Sequence, residues 1–199
     1  MKMKTLEMKL QQVPCFPKPR ADLEQYATPA PIAADILFTA YSNGDIQGKK
    51  VADLGCGTGM FALGASLLES ERVFGCDLDR SIIEIARRTA LEWGLEIDFQ
   101  ASDVRDFNTR VDTIIQNPPF GAQKRHADRP FLEKGMDLAD TIYSLHNSNS
   151  TDFIQTMVAS MGFKIDNTKD YMLEIPYMHD FHSKEMDHVR VRLFRIVRK

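Results

Sequence analysis

The pattern of hydrophobic and polar residues predicts strands that alternate with helices from residue 50 onward. Short apolar runs are typical of buried strands, and apolar residues three and four positions apart are typical of helices. The predicted strands cover residues 51–54, 72–76, 95–100, 111–115 and 141–145, with another beginning at 163–166 and a last one marked by Val189, Val191, Leu193 and Ile196. The predicted helices between them cover residues 59–68, 80–93, 130–140 and 151–161.

This alternation predicts an α/β fold, with a doubly wound, mostly parallel, seven-stranded sheet and helices on both of its faces. Two closing strands joined by a turn predict an antiparallel strand at one edge. Two further helices are predicted before the sheet, one over residues 2–13 and one that ends near Tyr41. Thr28 is the expected N-cap of the second helix, with Pro29 near its first position.

Length and composition indicate one globular domain over residues 1–199, with a helical segment (1–45) and a core (46–199). The chain is 43% hydrophobic and 27% charged, and none of its apolar runs approaches the roughly 20 residues of a membrane span. Residues 1–10 lack the apolar region of a signal peptide. Cys15, Cys56 and Cys76 form no metal-binding pair, so we expect reduced thiols, a cytoplasmic location and no metal.

Charge is unevenly distributed along the chain, although the net charge is only −3. Basic residues outnumber acidic residues in both terminal segments, 1–20 and 184–199. The two segments would form a phosphate-binding face if they folded together, and would otherwise be solvated surface charge. The pattern alone leaves both interpretations open.

The turn after the first predicted strand has the features of a cofactor-binding loop. Asp53 precedes Gly55-Cys56-Gly57 and Gly59, and glycines allow the backbone to approach a ligand closely. Asp77-Leu78 ends the second strand, about 20 residues further on, at a distance suited to a carboxylate that binds ribose hydroxyls. A dinucleotide fingerprint has the spacing GxGxxG, whereas this loop has GxGxG.

The acidic residue before that loop favours S-adenosylmethionine over NAD. A carboxylate at Asp53 suits the cationic methionine end of S-adenosylmethionine and would repel a pyrophosphate. Asp103, followed by Val104, comes after the third strand and is the candidate partner of the cofactor's adenine amino group. Polar residues therefore follow four successive strands, the fourth being Asn117.

A second candidate site is the loop Asn117-Pro118-Pro119-Phe120-Gly121, directly after the fourth predicted strand. Both prolines fix their own backbone angles, so the loop is stiff. The Asn117 side-chain oxygen and the Pro118 carbonyl could each accept a hydrogen bond from an amino group, while Phe120 stacks on the ring that carries it. The alternative is a structural Pro-Pro turn that ends a strand.

With these motifs, the chain resembles class I S-adenosylmethionine-dependent methyltransferases of the amino-methylating type, which share the Asn-Pro-Pro-aromatic motif. It more closely resembles the methyltransferase-like family that makes N6-methyladenosine in small-subunit ribosomal RNA. The residues that carry the closer resemblance are Leu10-Gln11-Gln12-Val13, Phe16, Lys18-Pro19, Leu23-Glu24-Gln25-Tyr26, Thr28, Asn117-Pro118-Pro119-Phe120-Gly121, Tyr143-Ser144-Leu145-His146 and Phe181-His182-Ser183-Lys184.

The resemblance implies a Rossmann-like methyltransferase core and a site made by several parts of the chain. Gln25, Tyr26 and Thr28 are expected to fold over the cofactor, and the loop from Asn117 to Phe120 is expected to receive a flipped adenosine. Eukaryotic members work with a small zinc-containing activator subunit that pairs with a sheet edge, and such a partner is an open expectation here. The chain lacks the insertions of eukaryotic members, which favours an archaeal source.

Three alternative functions are compatible with parts of the sequence. Protein glutamine methyltransferases and DNA adenine methyltransferases use the same Asn-Pro-Pro-aromatic chemistry, and a silent methyltransferase fold would serve as an RNA-binding scaffold. His146, at a predicted strand end, is interpreted as a structural histidine and His126 as an exposed loop residue. The basic loop 123–129 is a candidate for substrate contact.

Overall fold

A computed structural model describes residues 1–121, 126–176 and 186–199 of the chain. The motif Phe181-His182-Ser183-Lys184 and residues 123–125 of the basic loop 123–129 lie outside the described residues. In the part of the chain that is described, no helix is long and apolar enough to cross a membrane.

One seven-stranded sheet forms the centre of the molecule. Its strands are β1 (Lys50–Leu54), β2 (Arg72–Asp77), β3 (Asp98–Ala101), β4 (Thr113–Gln116), β5 (Thr141–Asn147), β6 (Phe163–Pro176) and β7 (Met186–Arg198). They are arranged in the order β3-β2-β1-β4-β5-β7-β6. The strands β1 to β5 pair in parallel, and β7 pairs antiparallel with both β5 and β6. The predicted fold class, including antiparallel pairing at one edge, is confirmed.

In the described parts of the chain, six α-helices cover the two faces of this sheet. They are α1 (Met3–Leu10), α2 (Ala30–Ser42), α3 (Met60–Leu67), α4 (Arg80–Glu92), α5 (Arg129–Leu138) and α6 (Thr151–Ser160). The first four pack on one face, where Leu10, Leu37 and Leu63 are buried in one apolar cluster. The other two pack on the opposite face, where Leu132 and Ile154 are buried in a second cluster. Both faces of the sheet are therefore shielded from water, as parallel strands require.

The sheet order places a functional edge at the carboxyl ends of the parallel strands. From β1 the chain winds outward through β2 and β3 on one side, and then returns to β4 on the other side. The order thus reverses between β1 and β4, and the loops after these two strands diverge there. Such a crevice is where doubly wound sheets bind ligands. Gly55 and Asn117 lie at this point, as the sequence predicts.

One local prediction is wrong. Thr28 makes no capping hydrogen bond to α2, because the N-cap of that helix is Pro29, and a second proline, Pro31, lies in its first turn. The strand predicted to begin at 163–166 does begin at Phe163 and extends to Pro176, since the polar residues that follow Asp166 pair with β7 after a register shift. Tertiary pairing outweighs their weak intrinsic strand preference.

The basic residues of β7 do not form one solvated face. Arg192 Nε lies 2.6 Å from Asp170 Oδ1, and Arg195 Nη2 lies 2.9 Å from Asp45 Oδ2. Arg198 pairs with Asp140 just before β5 begins, which is the edge of the sheet opposite Asn117. These arginines tie neighbouring strands and loops together.

Candidate active site

A cavity of about 320 Å³ lies at the carboxyl edge of the sheet, within the size range of small-molecule sites. Ten of the residues predicted from the sequence line it: Gln25, Tyr26, Gly55, Gly57, Asp77, Leu78, Asp103, Val104, Asn117 and Pro119. The other predicted residues, which are Thr28, Asp53, Cys56, Pro118 and Phe120, are not on its wall. The structure therefore brings together side chains from the N-terminal segment and from the ends of four strands.

The glycine loop after β1 forms one side of the cavity. Its first two amides, those of Gly55 and Cys56, donate to the Cys76 carbonyl at 2.8 and 3.0 Å. Gly55 and Gly57 have φ angles of 70° and 52°, a region that favours glycine. A Cβ on Gly57 would lie 2.7 Å from Cζ of Phe16. Both backbone conformation and packing therefore require glycine at this position.

Asp77 is held rigidly at the end of β2. Its Oδ2 accepts from Gly57 N and its Oδ1 from Asp79 N, each at 2.9 Å. Burial raises the pKa of Asp77 above its ordinary value. Because each carboxylate oxygen can accept more than one hydrogen bond, the group can still bind a hydroxyl pair. This geometry suits the predicted ribose contact.

Gln25 connects the N-terminal segment to the cofactor side of the sheet. Its Nε2 donates to Asp79 Oδ2 at 3.0 Å, and its Oε1 accepts from Arg20 N at 3.0 Å. Hydrogen bonds from Ser81 lower the pKa of Asp79, so its carboxylate is a charged acceptor. The segment before α2 is thereby fixed across the mouth of the cavity.

Asp53 lies beneath the glycine loop. It is 2% exposed, and its Oδ2 accepts from Ala62 N in the first turn of α3 at 2.9 Å. Its Oδ1 has no hydrogen-bond partner among the described residues. Burial raises the pKa of Asp53 to about 8. The carboxyl supports the loop and α3 directly, while its predicted contact with the methionine end of a cofactor stays a prediction.

Asp103 and its neighbour Arg105 line the part of the cavity where the sequence predicts the adenine of the cofactor. Arg105 donates from Nε to Asp103 Oδ1 at 2.9 Å and from Nη2 to Oδ2 at 2.6 Å. The Arg105 side chain is largely exposed, and this pairing lays it along the cavity wall. A carboxylate oriented in this way retains lone pairs for an amino group.

Asn117 is oriented by residues of the N-terminal segment. Its Nδ2 donates to Thr28 Oγ1 at 3.0 Å, while Tyr26 O–H donates to its Oδ1 at 3.4 Å. Burial raises the pKa of Tyr26 well above its ordinary value, so the phenol keeps its proton. Because Thr28 accepts from the amide nitrogen, the amide oxygen lies on the side of Tyr26, which lines the cavity.

The same segment fixes the rest of the Asn117 loop. The Tyr26 and Phe120 rings pack with centroids 5.2 Å apart and a tilt of 38°. Gly121 N donates to Glu24 Oε2 at 3.1 Å. The loop is therefore held by contacts at Asn117, Phe120 and Gly121, which is more support than two prolines alone provide.

Several wall residues were not predicted as site residues. They are Phe16, Asp22, Leu23, Glu24, Cys76, Ser102, Arg105, His126, Ala127, Pro130 and Phe131. Burial raises the pKa of Cys76 to about 11, so its thiol is a neutral part of the wall. Phe16, Leu23 and Glu24 belong to the N-terminal resemblance, which was the available signal for them. The wall position of Phe131 follows from the way α5 packs and has no local signal.

The histidine interpretations are supported by the structure. His146 is completely buried and hydrogen-bonded, and His126 is exposed. Among the described residues, no group of three or more His, Cys, Asp or Glu side chains is placed to hold a metal.

Comparison with known proteins shows similarity along nearly the whole chain. Residues 31–137 match the methyltransferase small domain. The chain is 36% identical to the rRNA N(6)-adenosine-methyltransferase METTL5 of Danio rerio, over 98% of each protein. It is 41% identical to an uncharacterized protein of Methanocaldococcus jannaschii, over 98% of this chain and 94% of that protein. A crystal structure of a putative RNA methyltransferase from Pyrococcus horikoshii superposes with a TM-score of 0.93 at 37% identity, covering 100% of this chain and 98% of the other.

Proposed function

This chain belongs to the methyltransferase small domain family, and we propose that it methylates N6 of adenosine in small-subunit ribosomal RNA. The chain is an S-adenosylmethionine-dependent methyltransferase, and its RNA relatives support adenosine N6 as the acceptor. The observation that carries the proposal is the orientation of Asn117. Asn117 lines the cavity, and its amide oxygen lies on the side of Tyr26, another wall residue, because its amide nitrogen donates to Thr28.

The cavity residues fit the cofactor. Asp77 would hold the ribose hydroxyls, Asp103 the adenine amino group, and the Gly55–Gly57 backbone would allow close approach of the methionine part. When bound, S-adenosylmethionine supplies an electrophilic methyl group. Gln25 and Tyr26 would cover it, because both line the cavity from the N-terminal segment.

The Asn117 loop would bind the target base. Asn117 Oδ1 and the Pro118 carbonyl would accept the two amino hydrogens and turn the N6 lone pair toward the methyl group. Phe120 would stack on the base, an interaction worth roughly 1–3 kcal/mol, which offsets the cost of flipping the nucleotide. Rate acceleration would come mainly from this alignment. The N6 proton would pass to water.

RNA is favoured over DNA and protein as the substrate because of the extent of the similarity. The match to an rRNA N(6)-adenosine methyltransferase covers 98% of both chains, including the N-terminal segment that holds Asn117. That segment, within residues 1–45, would be an integral part of a single methyltransferase domain over 1–199. The three cysteines are free, which accords with a cytoplasmic enzyme.

A small zinc-containing activator subunit is the partner that would fit this sheet. In the described structure, β3 and β6 are the outermost strands, and each has one neighbour in the sheet. An added strand could pair with such an edge. If the purified chain alone is fully active and gains no activity from a fraction containing such a subunit, the proposed partner is wrong.

The substrate assignment is tested with purified protein and methyl-labelled cofactor. Small ribosomal subunits, naked ribosomal RNA, duplex DNA and a glutamine-containing protein substrate are compared, and digested products are separated by mass spectrometry. We expect N6-methyladenosine only in the RNA samples. Label found only in DNA or only on glutamine would overturn the substrate, and no transfer to any sample, with or without a fraction containing the activator subunit, would favour the silent scaffold.

A further inference from the structure

A chain of four buried polar side chains lies directly behind the Asn117 loop. Gln116 Nε2 lies 2.9 Å from Ser144 Oγ, Ser144 Oγ lies 2.6 Å from His146 Nε2, and His146 Nδ1 lies 3.0 Å from Asp128 Oδ2. Gln116, Ser144 and His146 are 0% exposed, and Asp128 is 6% exposed. None of the four is on the cavity wall. Burying polar side chains costs free energy unless hydrogen bonds to other groups offset the loss of contact with water.

The donors and acceptors in this chain define its direction. The Gln116 amide donates to Ser144 Oγ, so the single hydroxyl hydrogen of Ser144 is available for His146 Nε2. With the Gln116 amide in this orientation, His146 carries its proton on Nδ1, which donates to Asp128. Each of the three contacts then joins a donor to an acceptor, while Gln116 Oε1 has no partner among the described residues. In a charged ring, His146 Nε2–H would also donate to Ser144 Oγ. The hydroxyl hydrogen of Ser144 would then face the Gln116 amide hydrogens.

The chain of hydrogen bonds fixes the strand from the side opposite to the cavity contacts. Successive residues of a strand point to opposite faces, so Gln116 and Asn117 project in opposite directions. The Gln116 amide lies under α5, where a Cβ on Gly135 would come within 3.9 Å of its Nε2. Asn117 is held on the other side by Thr28. The backbone that carries Asn117 is therefore clamped from both faces.

At its other end, the chain reaches the wall of the cavity. Asp128 is the N-cap residue of α5, and the neighbouring Ala127 and Pro130 line the cavity. In the first turn of α5, the Phe131 ring lies so close to the cofactor loop that a Cβ on Gly55 would be 2.9 Å from its Cε1. The hydrogen bonds thus connect β4, β5 and α5, and the packing of Phe131 against Gly55 extends this connection to the cofactor loop.

We propose that Ser144 and His146 are positioning residues for methyl transfer, which hold Asn117 in register with the cofactor loop through Gln116 and Asp128. The serine, histidine and carboxylate follow the order of a hydrolytic triad, but their burial denies a substrate access to the serine. The inference rests on the proposed function. Its expected signature is a loss of turnover without a loss of binding.

The test compares two substitutions that each remove one buried hydroxyl. Ser144→Ala breaks the chain, whereas Thr113→Val removes a hydroxyl that donates to the Asp45 carbonyl, at the amino end of the strand that carries Gln116. We expect Ser144→Ala to lower saturated turnover by about tenfold or more, with the cofactor Kd and the KM for RNA within about threefold of wild type. Thr113→Val should lower the Tm comparably and leave turnover unchanged.

Two further measurements make the inference refutable. In a Ser144→Ala/Asp128→Ala double variant, the turnover loss should not exceed that of the worse single variant, because both break the same chain. The 15N shifts of the wild-type His146 ring, assigned with His146→Gln, should show a neutral ring protonated at Nδ1. Equal turnover in Ser144→Ala and Thr113→Val, additive losses, or an Nε2-protonated ring would each overturn the inference. Absence of methyl transfer by the wild type, both alone and with a fraction containing the activator subunit, would instead overturn the proposed function.

Discussion

The buried carboxyl of Asp53 should make the stability of the cofactor-free protein depend on pH. Burial raises its pKa from the ordinary 3.8 to about 8, so the folded state retains a proton that the unfolded state has lost. The contribution to stability is complete below pH 4 and is lost as the pH rises through about 8. The unfolding free energy falls by about 1.4 kcal/mol for each pH unit in this range, so that about 3 kcal/mol of stability is lost between pH 5.5 and 7.5.

Asp53→Asn tests this value, because asparagine keeps an acceptor for Ala62 N but does not titrate. Urea unfolding of the cofactor-free wild type and variant between pH 5.5 and 7.5 gives the difference in unfolding free energy at each pH. We expect this difference to shift by about 3 kcal/mol in favour of the variant as the pH rises. Asp137→Asn, at an exposed helical position, is the matched baseline. A shift below about 0.5 kcal/mol would refute the argument.

Three other results are expected. Asp77→Ala should weaken cofactor binding by tenfold or more in calorimetry, since about 1.4 kcal/mol is tenfold, and an unchanged Kd would remove it from the ribose role. Gly75→Ala should lower the unfolding free energy by about 1–3 kcal/mol, because its Cβ would lie 2.5 Å from Cδ1 of the buried Phe99 ring; unchanged denaturant midpoints would contradict this. Thr28→Val should lower methyl-transfer turnover while Thr28→Ser preserves it, because only serine keeps the acceptor for Asn117; equal turnover in the two variants would show that the amide needs no such acceptor.

The centre of the sheet was predictable from the sequence because β1, β4 and β5 are buried on both faces and therefore read as apolar runs. The shared location of Gly55, Asp77, Asp103 and Asn117 was predictable for a related reason. Each follows a predicted strand, and the carboxyl ends of parallel strands meet at one edge. Local pattern plus topology was enough to collect these residues at one cavity.

What the sequence did not predict depends on contacts between distant segments. Thr28 is a residue type that often caps helices, but its hydroxyl oxygen instead accepts a hydrogen bond from Asn117, 89 positions away. The second half of β6 is polar and is a strand only because β7 pairs with it. The connection between His146 and Asp128 depends on how α5 docks, for which no residue pattern gives a signal.

The most direct test of the central claim is the single-turnover rate of N6-methyladenosine formation by Asn117→Ala, measured by mass spectrometry with cofactor and RNA both saturating. Removal of an oriented hydrogen-bonding group from a reacting centre lowers the rate by about a hundredfold or more. We expect a loss of that size, with RNA affinity within about threefold of wild type, since phosphate contacts dominate RNA binding. A rate within about threefold of wild type would contradict the account.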